Sequence, residues 1–168
     1  MRHQFKFSLG LALSLTLFTL SVNAQTSRDQ YIRTKHSNKC LHIDTGGQVN
    51  GLAATQWQCI KQNNVIWKLE PVAREPGFYF IKVKSSDKCI QVHGASQANG
   101  APITQWDCVN QNNVKWRLTP ASDGYYYIRA KHSNKCLHVQ GASQANGAPI
   151  TQWDCVDQPN VQWKFQPI

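Results

Sequence analysis

The chain has 168 residues, a net charge of +9 at neutral pH, and six cysteines and six tryptophans. Its basic residues are dispersed singly rather than clustered in the stripe that a nucleic-acid binder presents, so no nucleic-acid partner is expected. What remains for the positive charge is solubility and a mild attraction to acidic surfaces, such as anionic glycans or lipids.

In chain order, Arg2 and Lys6 precede an uncharged apolar run from Phe7 to about Val22. Val22-Asn23-Ala24 then sets small residues at the −3 and −1 positions of a cut after Ala24. This predicts a secretory signal peptide over residues 1–24 and an extracellular or periplasmic mature chain. A membrane anchor is the rival, but the run is broken by Ser8, Ser14, Thr16 and Thr19 and falls short of the ~20 residues of a span. No transmembrane segment is expected in the remainder. Gln25–Ile168 has 144 residues and a net charge of +7 once Arg2 and Lys6 are gone, enough for one domain with a core.

One stretch dominates that domain. GASQANGAPITQWDCV occurs at Gly94–Val109 and again, unchanged, at Gly141–Val156; a looser copy runs from Thr45 to Ile60. Three copies divide residues 25–168 into lobes of about 29–74, 75–122 and 123–168. In the first, Tyr31–Thr34, Cys40–Ile43, Ala53–Trp57 and Val65–Leu69 read as short strands, with Leu41 and Ile43 on one face and Cys40 and His42 on the other. Phe78–Val83, Cys89–Val92, Ile103–Trp106 and Val114–Leu118 repeat the pattern in the second lobe. Tyr125–Ala130, Cys136–Val139, Ile150–Trp153 and Val161–Phe165 repeat it in the third. Asn50-Gly51, Asn99-Gly100 and Asn146-Gly147 mark tight turns. No stretch keeps helical periodicity over more than a turn, so the fold class is all-β. A single repeat cannot bury its own apolar face, whereas three can close around a pseudo-threefold axis and remove free sheet edges. A propeller typically needs 4–8 blades, which argues against a three-blade fragment.

The cysteines fall at Cys40 and Cys59, Cys89 and Cys108, and Cys136 and Cys155, each pair 19 residues apart. In a secreted chain they imply disulfides. Fifteen connectivities exist in principle, and the repeat selects the one in which the same unit closes the same bond three times. Zinc ligands would come in tight C-x2–4-C pairs, which are absent, so no metal site is expected. His36 with His42 and His132 with His138 are six apart across a turn with no carboxylates alongside, a poor ligand set.

Two tryptophans recur per lobe. Trp67, Trp116 and Trp163 sit among apolar residues at the final strand and read as core. Trp57, Trp106 and Trp153 stand two residues before a cysteine, in T-Q-W-x-C, among polar neighbours. A rigidly held indole among hydrogen-bonding groups suits a sugar, with the ring against the apolar face of a pyranose and the polar groups on its hydroxyls.

The pattern C-L-x-V-x-G…N-G-x-x-x-x-x-W-x-C…N-x-x-W, complete in lobe 3 and repeated in lobes 1 and 2 with C-L-H-I and C-I-Q-V at its start, resembles the ricin-type β-trefoil lectin family across about Asp29–Ile168. The resemblance implies a β-trefoil: a six-stranded barrel capped by three hairpins, with one shallow sugar pocket available per lobe. It assigns candidate carbohydrate contacts to His42, Trp57 and Asn64 in lobe 1, to Gln91, Trp106 and Asn113 in lobe 2, and to His138, Trp153 and Asn160 in lobe 3. The Trp and Asn positions match the family. The acidic position of the family's pocket is instead His42, Gln91 and His138, its pocket Gln is Thr55, Thr104 and Thr151, and the Gln of its Q-x-W signature is Val65, Val114 and Val161. An ionised Asp accepts two hydroxyls, whereas a neutral His offers one donor and one acceptor. If these histidines grip hydroxyls, binding should change as the pH falls through ~6.5.

With every cysteine paired and no repeated pair of acids, the expectation is a non-catalytic lectin without cofactor that binds glycans or glycoconjugates. A module that docks a protein partner or a host-cell surface, as a toxin accessory would, is the alternative.

Overall fold

The computed structural model describes residues 28–168; the predicted leader, residues 1–24, lies outside the described residues. The described residues form twelve strands in sequence order. They are β1 (Gln30–Thr34), β2 (Cys40–Ile43), β3 (Ala54–Trp57) and β4 (Trp67–Pro71) in lobe 1, and β5 (Phe78–Val83), β6 (Cys89–Val92), β7 (Ile103–Trp106) and β8 (Trp116–Pro120) in lobe 2. Lobe 3 supplies β9 (Tyr126–Ala130), β10 (Cys136–Val139), β11 (Ile150–Trp153) and β12 (Trp163–Pro167). All pairings are antiparallel. β1, β4, β5, β8, β9 and β12 close a six-stranded barrel, with β12 returning to β1 in the register Ile32↔Phe165. The hairpins β2–β3, β6–β7 and β10–β11 form the cap and touch one another through the bridges Ala53↔Thr104, Thr55↔Pro149 and Pro102↔Thr151. The fold is therefore the expected β-trefoil, and closure leaves the barrel without an edge. No helix among the described residues is long and apolar enough to cross a membrane.

The barrel is filled by alternate residues of its strands, Ile32, Leu69, Ile81, Ile128 and Phe165 among them, together with Trp67, Trp116 and Trp163. These tryptophans open β4, β8 and β12 and are fully buried. Each indole N–H donates to a backbone carbonyl of the strand beneath, Leu41, Ile90 or Leu137, at 2.9–3.0 Å. The polar edge of the largest core side chain is thus satisfied where it is buried.

The fourth strand of each lobe starts at its Trp, two residues later than the valine pattern predicts. Asn63–Val65, Asn112–Val114 and Pro159–Val161 instead form a single 3-10 turn. The central Asn of each turn explains this. Its side-chain amide donates back to the carbonyl of Ile43, Val92 or Val139 at 3.0–3.2 Å, a local bond that competes with strand pairing. In the Asn-Gly turns only the glycines take positive φ, at 79° to 90°.

The disulfides are Cys40–Cys59, Cys89–Cys108 and Cys136–Cys155, with Cα atoms 5.1–5.2 Å apart. Packing also compensates between lobes. Gly47 leaves room for Leu52, whose Cδ1 would lie 2.9 Å from a Cβ added there, and the other lobes carry Ser96 with Ala101 and Ser143 with Ala148 at the same two positions.

Candidate functional site

Each cap hairpin has two faces, and their registers sort the T-Q-W motif between them. Cys40 is opposite Trp57 and His42 opposite Thr55; Cys89 is opposite Trp106 and Gln91 opposite Thr104; Cys136 is opposite Trp153 and His138 opposite Thr151. Residues directly opposite share a face. One outer face per lobe therefore gathers the cystine, the indole, the threonine and the His or Gln. The disulfide ties the first strand of this face to the segment just past the indole.

The glutamine between Thr and Trp points the other way. Gln56, Gln105 and Gln152 have no exposed surface. Gln56 Nε2 donates to the carbonyls of Ser143 and Ala145 in lobe 3, Gln105 Nε2 to those of Gly47 and Val49 in lobe 1, and Gln152 Nε2 to those of Ser96 and Ala98 in lobe 2, all at 2.6–3.0 Å. Each Oε1 accepts from Ser37, Ser86 or Ser133 in its own lobe at 2.8–2.9 Å. Polar neighbours of the indole in sequence, these residues form a cyclic clamp between lobes instead. The alternation of a strand, one residue out and the next in, is the signal that marks them.

The outer faces differ in how their polar groups are used. In lobe 1, His42 stacks on Trp57 with ring centroids 5.4 Å apart. Its Nδ1 lies 2.8 Å from Thr55 Oγ1, and Asn64 Nδ2 donates to its Nε2 at 2.9 Å. Because Nε2 accepts, Nδ1 carries the proton, and both ring nitrogens are engaged. In lobe 2, Asn113 Nδ2 donates to Gln91 Oε1 at 2.9 Å, and Gln91 Nε2 donates to Thr104 at 3.3 Å. In lobe 3, His138 stacks on Trp153 at 5.4 Å and bonds Thr151 through Nδ1 at 3.0 Å; its Nε2 makes no hydrogen bond among the described residues. Asn160 is bonded to the Val139 carbonyl and is buried. Burial holds both His42 and His138 below the ordinary imidazole pKa, with the Asp44 carboxylate partly opposing this for His42 and the neighbouring His36 adding to it for His138. The rings are thus neutral hydrogen-bonders near neutral pH.

Trp153 is the most open indole, 40% exposed, and Trp57 and Trp106 are half-buried. Gly100 lies beside Trp153 and Gly147 beside Trp57; a Cβ added to either would meet the indole at 3.9 Å. In lobe 2, Trp106 lines a cleft of about 440 Å³ with Gln91, His93, Ala95, Gln111 and Asn113. Ala95 and its counterpart Ala142 hold φ near 50°, a rim geometry that costs roughly 1–2 kcal/mol for a residue with a Cβ. In lobe 1 a cleft of about 320 Å³ is lined by Asn64 with Thr45, Gly46 and Gln62, and neither Trp57 nor His42 lines it. Among the described residues there is no group of three or more His, Cys, Asp or Glu placed to hold a metal ion.

A family model described as a ricin-type beta-trefoil lectin domain-like matches residues 16–106, 63–153 and 112–168. The chain belongs to that family. As a ricin-type trefoil it superposes on a designed threefold-symmetric protein, ThreeFoil, with a TM-score of 0.80 and 29% identity over 83% of this chain and 99% of that one. It is similar to part of an exo-beta-1,3-galactanase from Clostridium thermocellum, with a TM-score of 0.81 and 26% identity over 84% of this chain but 30% of the galactanase. The C-terminal half of an earthworm R-type lectin, solved in complex with GalNAc, shares the fold with a TM-score of 0.62 and 19% identity over 84% of this chain and 99% of that one. Curated proteins yielded no match.

Proposed function

We propose that this trefoil is a secreted, non-catalytic lectin that binds glycans on the outer faces of its cap hairpins. The observation that carries the reading is the threefold recurrence of one surface: an indole anchored beside a cystine, with a Thr and a neutral His or Gln next to it. An indole covering about 60 Å² of a pyranose contributes ~1.5 kcal/mol at ~25 cal/mol/Å². One site is therefore weak, and several on one body act together through avidity. Lobe 3 is the best furnished, since Trp153 is open and His138 Nε2 is available to a hydroxyl. Asn64, Asn113 and Asn160 support the sites chiefly by bracing the loop behind them. Three disulfides suit an oxidising compartment, in keeping with the leader predicted over residues 1–24. In the galactanase a comparable trefoil is part of a larger chain, and the present site offers binding groups without a repeated acid pair.

A glycan array on the wild-type protein, with Trp106→Ala and Trp153→Ala beside it, tests this. Loss of glycan signal in the variants with the thermal melting midpoint retained supports the lectin. No signal from the wild type would replace it with a protein-docking role.

A further inference from the structure

The barrel wall beside two of the three platforms is cationic, and beside the third it is neutralised. Across β9, β10 and β11, Arg129 is opposite Cys136, and Cys136 is opposite Trp153. Arg129 and Trp153 therefore share a face, two strand spacings apart, about 10 Å at the backbone. The same register sets Arg33 beside Trp57 and Lys82 beside Trp106.

Arg129 lines a cleft of about 260 Å³ with Phe78, Arg117 and Lys131. The Arg117 guanidinium carbon lies 4.5 Å from the Phe78 ring centroid and Lys131 Nζ 5.0 Å from it, so one aromatic floor gathers two cations. Lys131 is paired with Glu75. Arg117 forms no ion pair among the described residues. Arg129 donates from Nη1 to the Asn134 carbonyl at 3.3 Å, while its Nε is buried with no hydrogen-bond partner. The terminal Nη2 of Arg129 and the Arg117 guanidinium make no hydrogen bond among the described residues, so terminal donors stay in reserve, and the planar fork of a guanidinium matches the paired oxygens of a carboxylate or sulfate. The nearest carboxylate in sequence to Trp153, that of Asp154, is already held by Lys135 and Asn99.

The wall beside Trp57 repeats it in part: Arg33 is bonded through Nη1 to Gln166 at 2.7 Å and through Nε to the Asn38 carbonyl at 3.2 Å, Lys35 is paired with Asp123 at 3.4 Å, and Lys164 forms no ion pair among the described residues. Arg33, Lys164 and Tyr125 line a cleft of about 340 Å³, with Lys35 and Lys164 at 5.1 and 5.7 Å from the Tyr125 ring centroid. Beside Trp106 it fails. Asp29 occupies the place of Phe78 and Tyr125 and pairs with Lys68 at 3.6 Å and Lys84 at 2.5 Å, and Lys82 is taken by Glu70 at 3.2 Å and Asp87 at 3.1 Å.

We propose that lobes 3 and 1 select acidic glycans, in which the sugar over Trp153 or Trp57 is joined to a residue whose sulfate or carboxylate is gripped by Arg129 with Arg117, or by Arg33 with Lys164. Lobe 2 takes neutral sugars. The proposal rests on the glycan reading above and narrows its ligand class.

The test isolates lobe 3 in a Trp57→Ala/Trp106→Ala protein and titrates it calorimetrically with a keratan sulfate tetrasaccharide, its desulfated form and the sialylated desulfated form. The sulfated or sialylated ligand should bind about tenfold tighter than the neutral one at low salt, as charge-assisted bonds to an arginine pair require. The preference should shrink with added salt. Arg117→Gln/Arg129→Gln should abolish it, with thermal melting as the check on folding, and Arg117→Lys/Arg129→Lys should retain part of it. Equal binding of the charged and neutral forms, or a preference that survives the glutamine pair, would overturn the acidic-glycan assignment while leaving the lectin intact. If a further Trp153→Ala change leaves binding of the neutral form unaltered, or neither form binds, the glycan reading itself fails and this assignment with it.

Discussion

Lobes 2 and 3 share sixteen consecutive residues, Gly94–Val109 and Gly141–Val156, and the structure gives those residues the same turn, the same clamp and the same cystine. Their candidate sites nevertheless differ. In lobe 2, Gln91 is tied to Asn113 and Thr104, and the neighbouring wall is closed by Asp29, Glu70 and Asp87. In lobe 3, His138 keeps one nitrogen unbonded, and the wall offers Arg117 and Arg129. The shared stretch builds the scaffold and the platform. The ligand chemistry comes from the strands beside it, β6 or β10 and β5 or β9, which the repeat leaves free to vary.

The largest effects should come from breaking what the two lobes share. Gln152→Leu removes three buried hydrogen bonds, a loss of roughly 4 kcal/mol at ~1–1.5 kcal/mol per bond; the Ser96 carbonyl keeps His132 Nε2 at 2.9 Å and the Ala98 carbonyl keeps the Ala101 N–H at 3.4 Å. Gln105→Leu removes the matching three bonds and should cost at least as much in chemical denaturation, because no other described residue donates to the Gly47 and Val49 carbonyls. A clearly smaller loss for Gln105→Leu would show that the backup bonds in lobe 2 carry no weight. Next comes the cystine: Cys136→Ala/Cys155→Ala should lower the unfolding free energy by about 3 kcal/mol, the chain-entropy value for a loop of this length.

A smaller effect probes the platform itself. In lobe 3, Trp153→Ala should weaken glycan binding about tenfold, the equivalent of ~1.5 kcal/mol of apolar contact, with little change in denaturant midpoint because the ring is open. Trp106→Ala removes a half-buried ring and should cost more stability. Equal loss of stability in the two variants, read by the same denaturation curves, would erase the distinction between an open and a recessed platform.

The trefoil was legible because its signals are periodic. Repeat length, cystine spacing and the two tryptophan series each recur three times, and a symmetric core needs that recurrence. The fourth strand of each lobe begins two residues after the valine that the sequence pattern points to, because Val65, Val114 and Val161 are apolar and fully buried in a turn that Asn64, Asn113 and Asn160 hold with side-chain bonds. Hydrophobicity reports burial, and it does not distinguish a buried turn from a strand. The glutamine clamp was hidden for the opposite reason. A polar residue reads as exposed unless its partners are known, and those of Gln56, Gln105 and Gln152 belong to another lobe. The cationic wall was illegible in sequence because it is assembled across lobe boundaries: Phe78 and Arg117 come from lobe 2, Arg129 and Lys131 from lobe 3.

The smallest effect is the dependence on pH, and it separates the histidine lobes from the glutamine lobe. In the unfolded chain His42 and His138 titrate near ~6.5. In the folded protein burial lowers both. As the pH falls, the unfolded chain takes up these protons first. The stability the two neutral rings contribute is therefore full above ~6.5 and is lost progressively as the pH drops below that value toward the depressed folded pKa values. The geometry agrees with the sign. Protonation would turn His42 Nε2 from an acceptor into a second donor facing the Asn64 amide. Gln91 shows what lobe 2 uses instead, a side chain that bonds the same Asn and Thr without titrating. Hence His42→Gln/His138→Gln should flatten part of the fall in denaturant midpoint between about pH 7.5 and about pH 5. Glycan binding by lobes 1 and 3, measured in Trp106→Ala, should likewise weaken below ~6.5 rather than through it, since the folded rings protonate late. An unchanged slope in the double variant would mean that the two rings are as easily protonated folded as unfolded, and lobes 1 and 3 would then be no more sensitive to acid than lobe 2.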